Sequence, residues 1–130
     1  MNKIADLYSV AMKCRENAYA PYSKFKVGAA VLSENNQIFS GCNVENASYP
    51  CGTCAEAGAI AAMIAAGERK IKEILVVADT KQIMPCGNCL QKIIEFAEKT
   101  TLIHSADVQG NIKTFRVDDI LKHNFSAKNL

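Results

Sequence analysis

Residues 26–43 read KVGAAVLSENNQIFSGCN, two apolar runs hinged on Glu34-Asn35-Asn36. Val27, Ala29, Val31 and, more weakly, Leu32 mark residues 26–33 as one strand, and residues 38–43 form the next. A connection this short has no room for a crossover, so the pair is an antiparallel hairpin. A second pair lies near the other end of the chain. Residues 101–105 and 112–116 flank a turn at Gln109-Gly110-Asn111, again too short for a parallel connection. Between the two pairs, residues 74–78 form a short apolar run of the kind found in a buried strand.

Helical periodicity fills the remainder. Ile4, Leu7, Tyr8, Ala11, Cys14 and Ala18 recur at helical spacing, so residues 3–18 are expected to form an amphipathic helix that Pro21 ends. Residues 44–53 are a loop of Asn, Ser, Pro and Gly. Residues 54–66 form a helix of mostly small apolar residues, stopped by Gly67. Being apolar nearly all round, it is expected to be buried on most sides. Residues 86–98, with Pro85 just before them, form a third helix, and residues 117–122 add a short one. The order αββαβαββ implies an α/β fold, a five-stranded mixed sheet flanked by helices on both faces. A chain of 130 residues fits one domain, residues 1–130, with a real core.

Composition narrows the function. Hydrophobic residues make up 49% and charged residues 22%, as in soluble globular proteins. The formal net charge is +2 and no dense Lys/Arg run occurs, which argues against a nucleic-acid partner. Met1-Asn2-Lys3-Ile4-Ala5-Asp6 lacks the apolar stretch of a secretory signal, and the longest apolar run, residues 57–67, is too short to span a bilayer. Without a secretion signal, six cysteines read as metal ligands or catalytic groups in the cytoplasm before they read as disulfides.

Two cysteine clusters carry the chemistry, Cys54-Ala55-Glu56 and Pro85-Cys86-Gly87-Asn88-Cys89. Cys54 starts one expected helix. Cys86 and Cys89 share a face in the first turn of another and can grip one ion together. Three thiolates leave the fourth position of a zinc ion open for water, the mark of a catalytic site. Helix N-termini favour thiolates, and they offset part of the net −1 charge that three thiolates and Zn²⁺ carry. Glu56 can take a proton from that water and pass it to a leaving nitrogen. By itself Glu56 would be an ordinary acidic residue in a first helical turn. Beside a ligand Cys, with Pro-Cys-x-x-Cys downstream, the catalytic reading is the better one.

These clusters resemble the His/Cys-x-Glu and Pro-Cys-x-x-Cys signature of zinc deaminases. Three further segments are similar to the small homotetrameric cytidine deaminases. They are Tyr19-Ala20-Pro21-Tyr22-Ser23-Lys24-Phe25, Val27-Gly28-Ala29-Ala30 and Gly41-Cys42-Asn43-Val44-Glu45-Asn46-Ala47. The likeness runs from about residue 8 to residue 125. It implies a cytidine deaminase-like fold and the hydrolytic, zinc-dependent deamination of cytidine and deoxycytidine in pyrimidine salvage. It also implies a homotetramer with sites shared between subunits. On the same resemblance, Cys54, Cys86 and Cys89 bind zinc, and Glu56 is the general acid/base. Asn43 and Glu45 hydrogen-bond the ribose, Ala55 offers its backbone to the pyrimidine, and Phe25 packs on the nucleoside. Ala47, Tyr49 and Phe125 reach a neighbouring subunit's site.

One position departs from the family pattern. Ala57 stands where relatives usually carry an Arg that offsets thiolate charge. The gap suggests an alternative, a deaminase of modified or antibiotic cytosine nucleosides. A different alternative uses Cys51. With Cys54, Cys86 and Cys89 it would close a four-thiolate structural zinc module, which gives no role to Glu56, Asn43 or Glu45. Cys14 and Cys42 read as small buried hydrophobes. His104 and His123 read as structural or solvated residues.

Overall fold

A computed structural model of the chain describes residues 3–130; Met1 and Asn2, part of the N-terminal reading above, lie outside the described residues. The first helix, α1, spans Lys3–Arg15. Strands β1 (Val27–Ser33) and β2 (Ile38–Cys42) follow, then a single 3-10 turn at Tyr49–Cys51 and helix α2 (Ala55–Ala65). Strand β3 (Ile71–Ala78), helix α3 (Gly87–Phe96), strands β4 (Ala97–Ala106) and β5 (Ile112–Arg116) and the short helix α4 (Val117–Ile120) complete the order. A last 3-10 turn covers Ala127–Asn129.

The five strands form one sheet in the order β2-β1-β3-β4-β5. β1 is antiparallel to β2 and to β3, β3 and β4 are parallel, and β4 and β5 are antiparallel. The mixed sheet and both expected antiparallel pairs are therefore present. Alternate residues along the strands supply two apolar layers. Leu7 and Ala11 of α1 pack on Ala30, Leu32, Leu75 and Val77. On the other face, Ala59, Ile60 and Met63 of α2 and Ile93 of α3 pack on Ala29, Val31, Ile74, Val76 and Ile103.

Element ends moved for identifiable reasons. α1 stops at Arg15 rather than residue 18 because the chain turns to pair elsewhere. The Tyr19 N–H donates to the Asn43 carbonyl, and the Glu45 N–H donates to the Tyr19 carbonyl. β3 begins at Ile71, three residues early. Glu73, just outside the expected strand, accepts a hydrogen bond at Oε1 from His104 Nε2 at 2.6 Å, and that pairing lets a charged residue sit within a strand. β4 begins at Ala97, inside the segment expected to be helical. Ala97 continues the helical spacing of Ile93 and Ile94, yet its backbone pairs with Ile71. His104 is fully buried between Glu73 and Thr114, in keeping with its structural reading.

α2 differs from expectation in a more consequential way. Ala55, Glu56, Ala59, Ile60 and Met63 are buried, but Ala61, Ala65 and Ala66 are exposed and Ala57, Gly58, Ala62 and Ile64 are half-buried. One face is covered by the sheet, and the opposite apolar face is open.

One glycine sets how closely α2 docks on the sheet. A Cβ at Gly41 would lie 2.4 Å from both the Ala55 carbonyl oxygen and the Ala59 nitrogen, both backbone atoms of α2. Backbone cannot yield as a side-chain tip can. Gly41→Ala is therefore expected to push α2 off the sheet and to cost about 1–3 kcal/mol, the usual range for overpacking. Chemical denaturation will read the loss, and zinc content will fall with it, because α2 carries Cys54 at its start. Unchanged stability would mean that α2 docks less tightly than the structure has it.

Candidate active site

Two helix starts meet at one point. Cys54 is the N-cap of α2 and Cys86 the N-cap of α3, both with extended backbone angles. Cys89 follows in the first turn of α3 and is almost wholly buried. The sulphurs of Cys54, Cys86 and Cys89 all lie within 4.8 Å of one another, and Cys51 is not in the group. Cys51 is exposed in the 3-10 turn, with its Sγ 3.5 Å from Ser48 Oγ.

The electrostatics of this cluster favour a cation. Backbone N–H groups of Cys89 and Asn88 face the Cys86 sulphur and hold that thiol below its ordinary value. Burial pushes Cys54 up, with the Glu56 and Cys86 charges adding to the effect. Burial also pushes Cys89 up, reinforced by Glu56 and Cys54. Three thiols and a carboxylate crowd together with no countercharge among them. A divalent ion supplies it, and tetrahedral Zn–S bonds of about 2.3 Å place sulphurs about 3.8 Å apart, within the spread seen here. The donor set fits zinc.

Glu56 sits in the first turn of α2 with only 5% of its surface exposed. Burial holds its carboxyl above the ordinary carboxylate range, partly countered by hydrogen bonding to its own backbone N–H and to Cys89. A carboxylate so placed holds a proton more readily than an exposed one and is suited to general acid–base work.

These groups end at a cavity of about 540 Å³. Asn43, Glu45, Tyr49, Ala55 and Glu56 line it, and so do Cys54 and Cys86. Ile83 and Met84, which precede Pro85 in the chain, line it too. Asn43 lies just beyond β2 and ties the rim together. Its Oδ1 accepts from the Val27 N–H at 2.9 Å, and its Nδ2 donates to the Phe25 carbonyl at 2.9 Å. Glu45, two residues on, accepts from the backbone N–H groups of Tyr22 and Ser23 and from the Ser23 hydroxyl. Hydrogen bonds from Ser23 hold the Glu45 carboxyl below its usual range.

A family model described as the cytidine and deoxycytidylate deaminase zinc-binding region matches residues 1–105. The chain belongs to this deaminase family. It is 40% identical over 128 residues to a cytidine deaminase of Sporosarcina psychrophila, covering 98% of this chain and 94% of that one. It is 39% identical over 125 residues to a cytidine deaminase of Halalkalibacterium halodurans, covering 95% of each. The crystal structure of a cytidine deaminase from Burkholderia pseudomallei superimposes with a TM-score of 0.89 at 42% identity, covering 96% of this chain and all of that one. The fold of these deaminases is the one described above, and the family's zinc-binding region contains the three-thiol cluster.

Against that background the residues singled out from the sequence fall into two groups. Cys54, Cys86, Glu56, Ala55, Asn43, Glu45 and Tyr49 share one cavity, with Cys89 just beneath it. Phe25, Ala47 and Phe125 are not among the residues lining it. Phe25 lies in the loop that Asn43 holds. Phe125 is 60% exposed, and its carbonyl accepts from Gln91 Nε2 at 2.8 Å. Ala57 is half-buried and does not line the cavity, so the missing Arg opens no space in this wall. Ile83 and Met84 were missed. They carry no polar chemistry and follow no strand or helix period; their place directly before Pro85-Cys86 was the one available signal.

Proposed function

We propose that this chain, acting as one domain, hydrolyses the amino group from C4 of cytidine and deoxycytidine to give uridine or deoxyuridine and ammonia. The observation that carries the reading is a buried carboxylate, Glu56, set beside three thiols at the edge of a cavity rimmed by Asn43 and Glu45. Cys54, Cys86 and Cys89 hold Zn²⁺. Zinc supplies Lewis acidity, which makes water an effective nucleophile at neutral pH. Glu56 takes a proton at its carboxylate and returns it to the departing nitrogen. Asn43 and Glu45 orient the sugar through its hydroxyls, Ala55 presents backbone to the pyrimidine, and Phe25 packs on the nucleoside. Ile83 and Met84 form an apolar wall that excludes water from one side of the base.

The experiment is ammonia release from the zinc-loaded protein over cytidine, deoxycytidine, cytosine and CMP. Turnover of the two nucleosides with little on the free base or the nucleotide is expected. Zinc-loaded protein that releases no ammonia from either nucleoside would end this reading.

The working unit is a homotetramer with shared sites, and its only small-molecule partner is the nucleoside; nucleic acid is not a partner. The open apolar face of α2 supports the assembly, since a contiguous exposed apolar face is suited to being covered by another subunit. Ala47 and Phe125 then serve a neighbouring site, and their exposure leaves them free to do so, whereas Tyr49 lines the cavity of its own chain and sits against the Tyr22 ring. Phe125→Ala is expected to raise KM for nucleosides several-fold with little effect on the unfolding midpoint. Light scattering at assay concentration checks the assembly, and a fully active monomer would defeat it. Among the described residues no helix is long and apolar enough to cross a membrane. Exposed thiols of this kind are kept reduced in the cytoplasm, which is where we place the enzyme.

A further inference from the structure

Two cysteines outside the active site face each other across the other side of the sheet. Gly28 of β1 lies directly opposite Cys42 of β2. Directly opposed residues of an antiparallel pair put their side chains on the same face. A Cβ at Gly28 would stand 2.2 Å from the Ala11 carbonyl oxygen and 2.8 Å from Arg15 Cβ, so that face is the one covered by α1. The Cys42 side chain therefore points at α1. Cys14 sits on α1 three residues after Ala11, and its thiol is the one that the Cys42 thiol meets. Both are free, and both are half-exposed, against the sequence-based expectation of burial. Glycine at position 28 is what lets the helix come close enough to bring the two sulphurs together.

We propose that Cys14 and Cys42 form a reversible oxidation site, closing to a disulfide that pins the end of α1 to the end of β2 next to Asn43. The oxidant is a disulfide of a low-molecular-weight thiol such as oxidised glutathione. One protein thiolate attacks it, forming a mixed disulfide and releasing one glutathione. The second protein thiol, losing its proton, displaces the other glutathione. Two protein thiols are oxidised and one glutathione disulfide is reduced to two thiols. Cys54, Cys86 and Cys89 belong to α2 and α3 on the opposite face of the sheet, away from this pair. Burial and the neighbouring Cys14 hold the Cys42 thiol above its ordinary value. Closure is therefore expected to be slow at neutral pH and faster as pH rises.

The test treats the zinc-loaded protein with oxidised glutathione, blocks residual thiols by alkylation and maps peptides by mass spectrometry without reduction. A Cys14–Cys42 linked peptide is expected, with zinc retained and the link removed by dithiothreitol. Cys14→Ser, which touches no part of the active site, should abolish the link and keep full activity under reducing conditions. Should that variant fold poorly, Cys14→Ala serves the same purpose. Stable glutathione adducts on Cys14 or Cys42 without the link would overturn the proposal. So would oxidation that begins at Cys51 or the zinc thiols while Cys14 and Cys42 stay reduced.

Discussion

Glu56→Gln is expected to keep the fold and its zinc and to lose at least about 10²–10⁴-fold in turnover, the usual contribution of a positioned acid–base group. Gln matches Glu in size, so the buried first turn of α2 keeps its packing. It can neither accept nor return the proton. The loss should sit in kcat, with nucleoside affinity little changed, because binding rests on other residues. The parent protein carries the matching pH signature. Burial raises the Glu56 carboxyl above its ordinary range, and the reactive form is the carboxylate. Activity should therefore fall as pH drops through that raised value, at a higher pH than an exposed Glu would give. Near-normal turnover in zinc-loaded Glu56→Gln protein would remove Glu56 from the mechanism.

The second large effect concerns the metal. Changing Cys54, Cys86 or Cys89 to Ser should take zinc from one per chain to almost none and abolish activity. Cys51→Ser should keep both. The three sulphurs form one group and Cys51 lies outside it, paired loosely with Ser48. Structural consequences follow as well. Cys54 and Cys86 cap different helices, so the ion ties α2 to α3, and zinc held by cysteines is worth of the order of 10 kcal/mol in small metal domains. Chelation should lower the unfolding midpoint of the parent while leaving that of Cys86→Ser unmoved. Metal analysis beside a thermal melt checks both. Loss of stoichiometric zinc in Cys51→Ser would revive the four-thiolate module.

How much of this was legible in the chain depended on whether local pattern and long-range pairing agreed. The hairpin at residues 33–38 and the strand Ile112–Arg116 were readable because short turns and apolar alternation pointed the same way. Ala18 and Ala97 misled for one reason. Each extends a helical period that the backbone abandons for a partner distant in sequence, Val44 for Tyr19 and Ile71 for Ala97. Glu73 hid a strand residue because its partner, His104, is 31 positions away. The metal cluster was legible because its chemistry demands fixed short spacings. Ile83 and Met84 were not, because an apolar wall requires only the right position in space, and nothing in local sequence encodes that.

The amide of Asn43 has a further consequence. An isolated asparagine can present either end to a ligand. Here the Val27 N–H demands an acceptor and the Phe25 carbonyl demands a donor, so the group cannot be turned round. Its oxygen is turned toward Val27, and one N–H remains to donate. The neighbouring Glu45 carboxylate, held ionised, has only lone pairs to offer. The rim is therefore polarised before any ligand arrives, with one donor and one acceptor side by side. A hydroxyl, which both gives and takes a hydrogen bond, satisfies such a pair. A ketone, an ether or a fluorine at the same place would have no proton to give the carboxylate's remaining lone pair.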